Sequence, residues 1–278
     1  MSDAAQLDAL SQAPPATEPV VSFQYVSIAF EENVVLEDIS FKVAPGETRI
    51  LLGPAGVGKS VLLKVALGLL KPDLGAVKLF GQSIARMAEE NLFALRARSG
   101  MVFQEGALFD SLTVRDNVAY QLIQEQVPDA EIDERVRESL RFVGLEQTFA
   151  QFPASLSGGM RRRVAIARAL IRQPELILYD SPTGGLDPVT STQILALLVK
   201  QRDVHRTPSI VVTHRLQDAF ALSTHRWDEE RGEMTPLPKG QIDPNTTYMM
   251  LEDGRLVFDG SLHELLHSSN PFVREFLA

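Results

Sequence analysis

The stretch that decides the fold is Gly53-Pro54-Ala55-Gly56-Val57-Gly58-Lys59-Ser60. Its spacing matches the phosphate-binding pattern G-x-x-x-x-G-K-[ST]. The apolar run Arg49-Ile50-Leu51-Leu52 precedes it and predicts a strand, and residues 61–67 predict a helix. The glycines allow backbone N–H groups to turn toward phosphate oxygens, and the helix N-terminus adds partial positive charge. We therefore predict a phosphate site here; the alternative is a Gly-rich turn that carries Lys-Ser by chance.

Two side chains at the end of this loop suit a bound nucleotide. Lys59 can reach the β- and γ-phosphates as a point charge, and Ser60 can place its hydroxyl on Mg²⁺. We predict that the nucleotide-binding residues are Gly53, Pro54, Ala55, Gly56, Val57, Gly58, Lys59, Ser60 and Val61.

The composition limits the class of protein. The chain has 278 residues, of which 45% are hydrophobic and 23% charged, which is ordinary for a globular protein with a substantial core. The net charge of -9 argues against a general nucleic-acid binder. The absence of cysteine excludes disulfides and thiolate metal sites. Neither a signal peptide nor a membrane-spanning run is apparent, so we expect any membrane role to depend on a partner.

The pattern along the chain predicts one folded domain after a tail. Residues 1–20 are rich in Ala, Pro, Ser and Gln and predict a disordered tail. Residues 21–278 predict a single domain that begins with two antiparallel strands, 21–30 and 34–43. Amphipathic helices are predicted at 114–124 and 129–142. Residues 224–247 are polar with Pro and Gly and predict a long loop or a partly disordered insertion, and residues 248–278 predict a hairpin and two helices.

Polar side chains follow three buried-type strands. Asp180 ends the apolar run Leu176–Asp180, which is typical of a central parallel strand. Ligands bind beyond the carboxyl ends of such strands, so Asp180 is predicted to be the carboxylate on the Mg²⁺ side. Gln104 ends a strand that begins at Gly100, and His214 follows the strand 209–213. We expect all three side chains near the phosphate loop.

A second Gly-rich helix start lies at Ser157-Gly158-Gly159. Ser157 is a good N-cap, and the two glycines leave N–H groups uncovered, so this helix end can receive an anion. The following Arg161-Arg162-Arg163 suggests either a nucleic-acid contact or a solvated helix face, and the acidic chain favours the second.

The loop at residues 105–116 carries apolar side chains at Ala107, Leu108, Phe109 and Leu112. Such a loop indicates either a docking surface or a small local cluster. The residue pattern leaves both interpretations open.

The order and spacing of these motifs resemble an ATP-binding cassette (ABC) ATPase from about residue 21 onward. The resemblance implies an α/β P-loop NTPase fold with a RecA-like core, an antiparallel β subdomain and a helical subdomain at about residues 105–165. It also implies roles by position: Walker A loop at 53–60, Q-loop at Gln104, signature motif at 156–160, Walker B at Asp180, D-loop at Asp187 and switch histidine at His214. The family's adenine-stacking aromatic lies upstream of the Walker A lysine at a spacing that favours Phe30 over Tyr25.

Finer features resemble the Mla-type ATPases, which drive transport of phospholipids or other lipids. These features are the segments Phe103–Phe109 and Leu112–Val118, Met160 in the signature, and the ending Pro271–Leu277. The resemblance implies ATP and Mg²⁺ as ligands, with Ser60, Gln104 and Asp180 around the metal. It implies a homodimer that sandwiches ATP between residues 53–60 of one copy and Ser157, Gly158 and Gly159 of the other. It further implies a membrane permease docked at Gly106–Leu112, further transporter subunits, no nucleic-acid partner, and a cytoplasmic location on the inner membrane.

One position departs from the family. A glutamate that polarises the attacking water is expected directly after Asp180, and this chain has Ser181. Loss of a positioned general base costs about 10²–10⁴-fold in rate. Phosphoryl transfer also relies on positioning and charge neutralisation, so His214, Gln104 or Asp187 of the partner subunit are candidates to sustain hydrolysis. The alternative is a non-hydrolytic ATP-gated clamp in which Ser181 holds the closed dimer. An ABC ATPase that acts on DNA or ribosomes is disfavoured by the acidic charge.

Overall fold

A computed structural model describes residues 18–278, so most of the predicted tail, residues 1–17, lies outside the described residues. Two sheets and a hairpin are built from the strands β1 Val21–Phe30, β2 Asn33–Val43, β3 Thr48–Leu52, β4 Leu74–Leu79, β5 Gln82–Ser83, β6 Ser99–Val102, β7 Leu176–Asp180, β8 Ser209–Val212, β9 His225–Asp228, β10 Glu233–Pro236, β11 Thr246–Glu252 and β12 Arg255–Gly260. The helices are α1 Lys59–Ala66, α2 Glu89–Arg96, α3 Val114–Gln124, α4 Asp129–Phe142, α5 Gly158–Leu170, α6 Pro188–His205, α7 Leu216–Thr224, α8 Leu262–Leu266 and α9 Pro271–Leu277.

The central sheet has the strand order β12-β11-β3-β8-β7-β6. Strands β11, β3, β8, β7 and β6 are parallel, and only the edge strand β12 runs antiparallel. Every residue of β3, β7 and β8 is buried, as expected for a parallel sheet covered on both faces. Alternate residues belong to different cores: Leu51 packs on the side of α1 and α2, whereas Ile50 and Leu52 pack on the side of helices α3 to α9.

A second, antiparallel sheet has the order β2-β1-β4-β5. Its inner face shares a core with α1 and one face of the central sheet. The Phe23 and Phe41 rings, paired across β1 and β2, stack with centroids 4.6 Å apart. Together with α3 and α4, whose bounds match the predicted helices, these elements confirm the predicted α/β fold with antiparallel and helical subdomains.

The prediction for residues 224–247 is wrong for most of its first half. Strands β9 and β10 form an antiparallel hairpin there, with Asp228 opposite Glu233. Trp227 and Met234 pack on the main core, and the backbone N–H of Trp227 donates to Asp203 Oδ2 at 2.7 Å. The hairpin is therefore fixed on α6 by a few side chains. Its other residues are mostly polar, so the sequence pattern does not indicate two strands. Helix α7 was not predicted either.

The β11–β12 turn joins the two sheets. Gly254 has φ +75°, its carbonyl accepts from Glu37 N–H at 2.8 Å, and a Cβ placed on it would lie 2.7 Å from the Val35 carbonyl oxygen. The Arg255 guanidinium also pairs with Glu37. The turn can therefore approach β2 this closely only with glycine at position 254.

Replacing Gly254 by alanine is expected to destabilise the fold. Gly232→Ala is the matched control, because Gly232 has φ +67° but nothing within 4 Å of a Cβ. Left-handed strain alone should cost the control about 1–2 kcal/mol in free energy of unfolding. Gly254→Ala should lose at least about 1 kcal/mol more, since the clash with Val35 adds to the strain. Urea unfolding of both variants measures the difference, and equal losses would contradict the proposed tight contact.

No helix between residues 18 and 278 combines the length and the apolar character needed to cross a membrane.

Candidate active site

The carboxyl ends of four neighbouring parallel strands bring the predicted residues to one edge of the sheet. Strand β3 leads into the Gly53–Ser60 loop and β8 toward His214. Strand β7 leads into Ser181 and β6 toward Gln104. Hydrogen bonds hold these ends in register: Thr213 N–H donates to the Leu51 carbonyl at 3.1 Å, and Ser181 N–H to the Val212 carbonyl at 3.0 Å. Ligands bind at this edge in open α/β sheets.

The phosphate loop is wedged between distant parts of the chain. A Cβ on Gly53 would lie 2.6 Å from the Leu251 carbonyl oxygen, and one on Gly58 would lie 2.8 Å from that of Val35. Both glycines have positive φ, at +146° and +99°. Helix α1 begins at Lys59 with no side-chain cap and no acidic residue in its first turn. Its first N–H groups and dipole are therefore available to an anion.

Lys59 is buried within this loop, only 7% exposed. Its Nζ donates to the carbonyls of Gly53, at 2.8 Å, and of Pro54. Burial lowers the pKa of the Lys59 ammonium below its usual range, and the charge of Asp180 opposes this shift. The Lys59 ammonium and the Asp180 carboxylate therefore share one electrostatic site.

Asp180 and Ser181 follow β7 directly. Asp180 is 7% exposed, and its carboxylate has no ion pair within 4.0 Å among the described residues. Its Oδ1 is 3.5 Å from Ser181 Oγ, too long for a strong hydrogen bond. Ser181 is buried and has φ +48°, a left-handed conformation that costs a non-glycine residue about 1–2 kcal/mol. Contacts to its peptide group must hold it there.

Gln104 lies two residues beyond β6 and is exposed. Gln104 lies within a turn that is closed by a hydrogen bond from Gly106 N–H to the Phe103 carbonyl at 2.9 Å. A Cβ placed on Gly184 would lie 3.7 Å from Gln104 Nε2 and 3.2 Å from the Ser181 carbonyl oxygen. The Gln104 amide therefore lies close to the loop that follows β7.

His214 is exposed just past β8, and its loop is held by a neighbour. Arg215 N–H donates to Thr213 Oγ1 at 3.0 Å, and Arg215 Nε lies 3.6 Å from Asp218 Oδ1. Buried Asp218 also accepts from the Thr183 hydroxyl, which links this loop to the loop that follows β7. Sequence reasoning missed this tie, because Asp218 lies in the unpredicted helix α7.

The Gly-rich start of α5 has the predicted cap: Ser157 Oγ accepts from Met160 N–H at 3.2 Å. The helix begins at Gly158, directly after this N-cap, so Gly158 and Gly159 belong to its first turn. A Cβ on Gly159 would lie 2.3 Å from Thr190 Cγ2, which explains the glycine by close packing on α6. The first turn contains no acidic residue.

Asp187 lies at the start of α6 and is exposed. Its Oδ1 accepts from Thr190 N–H at 3.0 Å and its Oδ2 from Thr190 Oγ1 at 2.6 Å. These bonds hold the pKa of the Asp187 carboxyl below its usual range. Within its own chain Asp187 therefore caps a helix.

The geometry favours Phe30 over Tyr25 for the adenine. Leu36, which touches the Gly58 position, pairs with Ile28, two residues from Phe30. Tyr25 N–H instead donates to Ser40 Oγ, four residues or about 13 Å further along β2. Phe30 is 43% exposed and is free to stack. Its adenine contact stays a prediction.

The loop Gly106–Leu112 shares features of both interpretations left open by its sequence. Leu108 packs on the main core, whereas Phe109 is 44% exposed with its ring 4.7 Å from that of Tyr120. Buried Asn117 fixes the loop by accepting from Phe109 N–H at 2.7 Å and donating to the Leu112 carbonyl at 3.1 Å. Phe109 and Tyr120 line a groove of about 330 Å³.

The family of the chain follows from comparison with known proteins. A family model described as ABC transporter matches residues 36–184, more than half of the chain. The chain belongs to the ABC transporter family. It is an ATPase subunit of that family.

Curated relatives align over most of the chain. An Arabidopsis thaliana chloroplast protein, TRIGALACTOSYLDIACYLGLYCEROL 3, is 38% identical over 89% of this chain and 70% of its own length. A Mycobacterium leprae protein, the probable ribonucleotide transport ATP-binding protein mkl, is 34% identical over 90% of this chain and 66% of its own length. The Escherichia coli K12 intermembrane phospholipid transport system ATP-binding protein MlaF is 32% identical over 93% of this chain and 88% of its own.

A solved ABC cassette has the same fold. It is a dimeric ATP-binding cassette in a post-hydrolysis state with ADP and Pi, 29% identical, with a TM-score of 0.73 over 87% of this chain and 98% of that one. The likeness agrees with ATP hydrolysis by this ABC subunit and does not favour the non-hydrolytic clamp.

Proposed function

We propose that this ABC ATPase powers a membrane transporter of phospholipids or related lipids. The observation that carries the proposal is the position of Gly106–Leu112, which begins two residues beyond Gln104 and presents Phe109 on the surface. Arg168 of α5 fixes the loop by donating to the carbonyls of Gly106 at 2.8 Å and Ala107 at 2.7 Å. A permease docked there would be linked to the nucleotide site by a few residues of ordered backbone. The likeness to MlaF supports a phospholipid cargo, and the name of mkl makes ribonucleotides the second candidate.

Nucleotide binding would divide between two copies of the chain. Phe30 would stack on the adenine, and the N–H groups and Lys59 of the Gly53–Ser60 loop would hold the phosphates. The uncovered helix start at Ser157–Gly159 of a second copy would meet the γ-phosphate from the other side. ATP would thus join two copies into a homodimer, which the dimeric relative supports.

The residues around Asp180 suit Mg²⁺. Asp180 is a buried carboxylate with no ion pair in the described part of the chain, and Ser60 and Gln104 add oxygen donors. Such hard ligands, few in number and completed by substrate phosphates, are what Mg²⁺ prefers. When bound, the ion would neutralise charge on the phosphates.

Hydrolysis without the family glutamate would depend on positioning. The Ser181 hydroxyl is a poor base at neutral pH. We propose that His214, Gln104 and Asp187 of the partner subunit orient the attacking water. Their places at the sheet edge and at the exposed start of α6 support these roles. The subunit would work on the cytoplasmic face of the inner membrane, bound to its permease and further transporter subunits.

Placing a charge on the docking loop is expected to release the chain from its transporter. Phe109→Asp should reduce co-purification with an integral membrane protein from detergent-solubilised membranes by about tenfold, because a carboxylate would be buried in an apolar contact. Leu266→Asp is the control, since Leu266 is 55% exposed on α8. Mass spectrometry of the native complex should find bound phospholipid. Recovery of ribosomes or nucleic acid in place of a membrane protein would contradict the proposal.

A further inference from the structure

One of the three consecutive arginines in α5 turns inward. Arg162 is only 5% exposed, whereas Arg161 is exposed and Arg163 reaches the Val143 carbonyl at 3.3 Å. Arg162 Nη1 donates to the Ser181 carbonyl at 2.9 Å, and Nη2 makes a longer contact of 3.4 Å to the Gly184 carbonyl. The sequence suggested a solvated face for all three. Arg162 instead reaches into the catalytic edge.

The Arg162 guanidinium is a buried cation without a paired carboxylate. No Asp or Glu oxygen lies within 4.0 Å of it between residues 18 and 278. Burial lowers the pKa of the guanidinium, while the charges of Asp180 and Glu105 oppose the shift. An uncompensated buried charge is costly, so its hydrogen bonds to backbone carbonyls are its main support.

Three hydrogen bonds hold the backbone of Ser181. Its N–H donates to the Val212 carbonyl, and its carbonyl accepts from Gly184 N–H at 2.9 Å and from Arg162. The first two contacts come from the sheet and from the loop itself. Arg162 is the contact to Ser181 that comes from a helix, and it therefore bears on the left-handed Ser181 backbone and on the adjacent Asp180.

The same helix begins at the proposed contact with the partner's nucleotide. Gly158 and Arg162 are four residues apart in α5, about 6 Å along a rigid helix. A shift of the helix start on closing of the dimer would therefore move Arg162, and with it the Ser181 carbonyl.

We propose that Arg162 is a positioning residue that transmits dimer closure at the start of α5 to the Walker B end of the same chain. The inference rests on the proposed ATP sandwich and adds to it a path between the two nucleotide sites. It also gives a reason for arginine, because the two nitrogens of a rigid planar fork match two fixed carbonyls, whereas a lysine ammonium is a single point charge on a flexible stem.

The test compares Arg162→Gln and Arg162→Lys with Arg163→Gln, which removes the same group one residue along. We expect Arg162→Gln to lower kcat about ten- to a hundredfold, as small misplacements at a reacting centre do. The KM for ATP and ATP-driven dimerisation, measured by analytical ultracentrifugation, should change less than about twofold. Arg162→Lys should restore part of kcat, and Arg163→Gln should stay within about twofold of the native chain.

Other outcomes would overturn the proposal. A native kcat in Arg162→Gln would show that closure does not pass through this contact. Equal losses in Arg162→Gln and Arg163→Gln, or parallel losses of dimerisation and kcat, would show a merely structural role. If Arg162→Gln does not fold, Arg162→Lys takes its place. A kcat reduced in Arg162→Lys but not in Arg163→Gln would decide for the proposal, and a native kcat in Arg162→Lys, or equal losses in the two variants, would decide against it. A native chain that hydrolyses ATP as a monomer would contradict the sandwich itself, independently of the variants.

Discussion

Ser181→Glu is expected to raise ATP turnover by about 10²-fold or more, since a positioned general base contributes about 10²–10⁴-fold. The position directly follows Asp180 at the end of β7, where the attacking water would lie beside the γ-phosphate. Buried Lys59 and Arg162 supply positive charge nearby, which offsets the repulsion between two adjacent carboxylates. Phosphate release at saturating ATP measures the change.

The control for Ser181→Glu is Ser181→Gln, which has nearly the same size but no basic carboxylate. It should turn over no faster than the native chain. A rise in both variants would point to side-chain volume at the left-handed position. No rise in Ser181→Glu would show that another group already does the work of the glutamate, with Gln104, His214 and Asp187 of the partner subunit as the residues to vary next.

Lys59→Ala is expected to reduce turnover by about 10²–10³-fold, the loss typical when a charge-stabilising donor is removed from a transition state. The ammonium lies inside the loop and can exchange its bonds to the Gly53 and Pro54 carbonyls for bonds to phosphate oxygens. Binding of a fluorescent ATP analogue should weaken in parallel, since a ground-state contact is lost as well.

Lys64→Ala provides the comparison for Lys59→Ala, because Lys64 lies on the same short helix but is exposed. It should bind and hydrolyse ATP like the native chain. Thermal unfolding of both variants separates a damaged loop from a lost phosphate contact. Retained turnover in a folded Lys59→Ala protein would contradict the assignment of this loop to ATP.

The strongest local signals in the sequence predicted the structure well. The phosphate loop, the buried runs at β7 and β8 and the helices α3 and α4 have patterns that local geometry alone explains. The carboxyl ends of parallel strands meet at one edge of the sheet, so the sequence alone predicts that Asp180, Gln104 and His214 lie near the phosphate loop. The short turn between the two predicted strands at residues 21–30 and 34–43 similarly predicted their antiparallel pairing.

What escaped prediction depends on contacts between distant residues. The β9–β10 hairpin is held by Trp227 against α6, and neither strand has enough apolar residues to stand out. The sequence did not distinguish Arg162 from the arginines on either side of it. Near a Gly-rich helix start, the pattern of apolar residues does not show which arginine faces the interior. The left-handed backbone of Ser181 has no composition signal, because serine rarely adopts it and neighbouring contacts impose it.

The wedged phosphate loop has a consequence for how the protein is made. Gly53 lies against Leu251, and the turn at Gly254 closes over β2, so two late segments of the chain complete a site whose motif appears early. During synthesis, residues 53–60 leave the ribosome long before β11 and β12 exist to support them. The nascent chain should therefore acquire ATP affinity only after residues 246–260 have emerged. Nucleotide binding would then report a nearly finished chain, and incomplete chains would not compete for a place in the transporter.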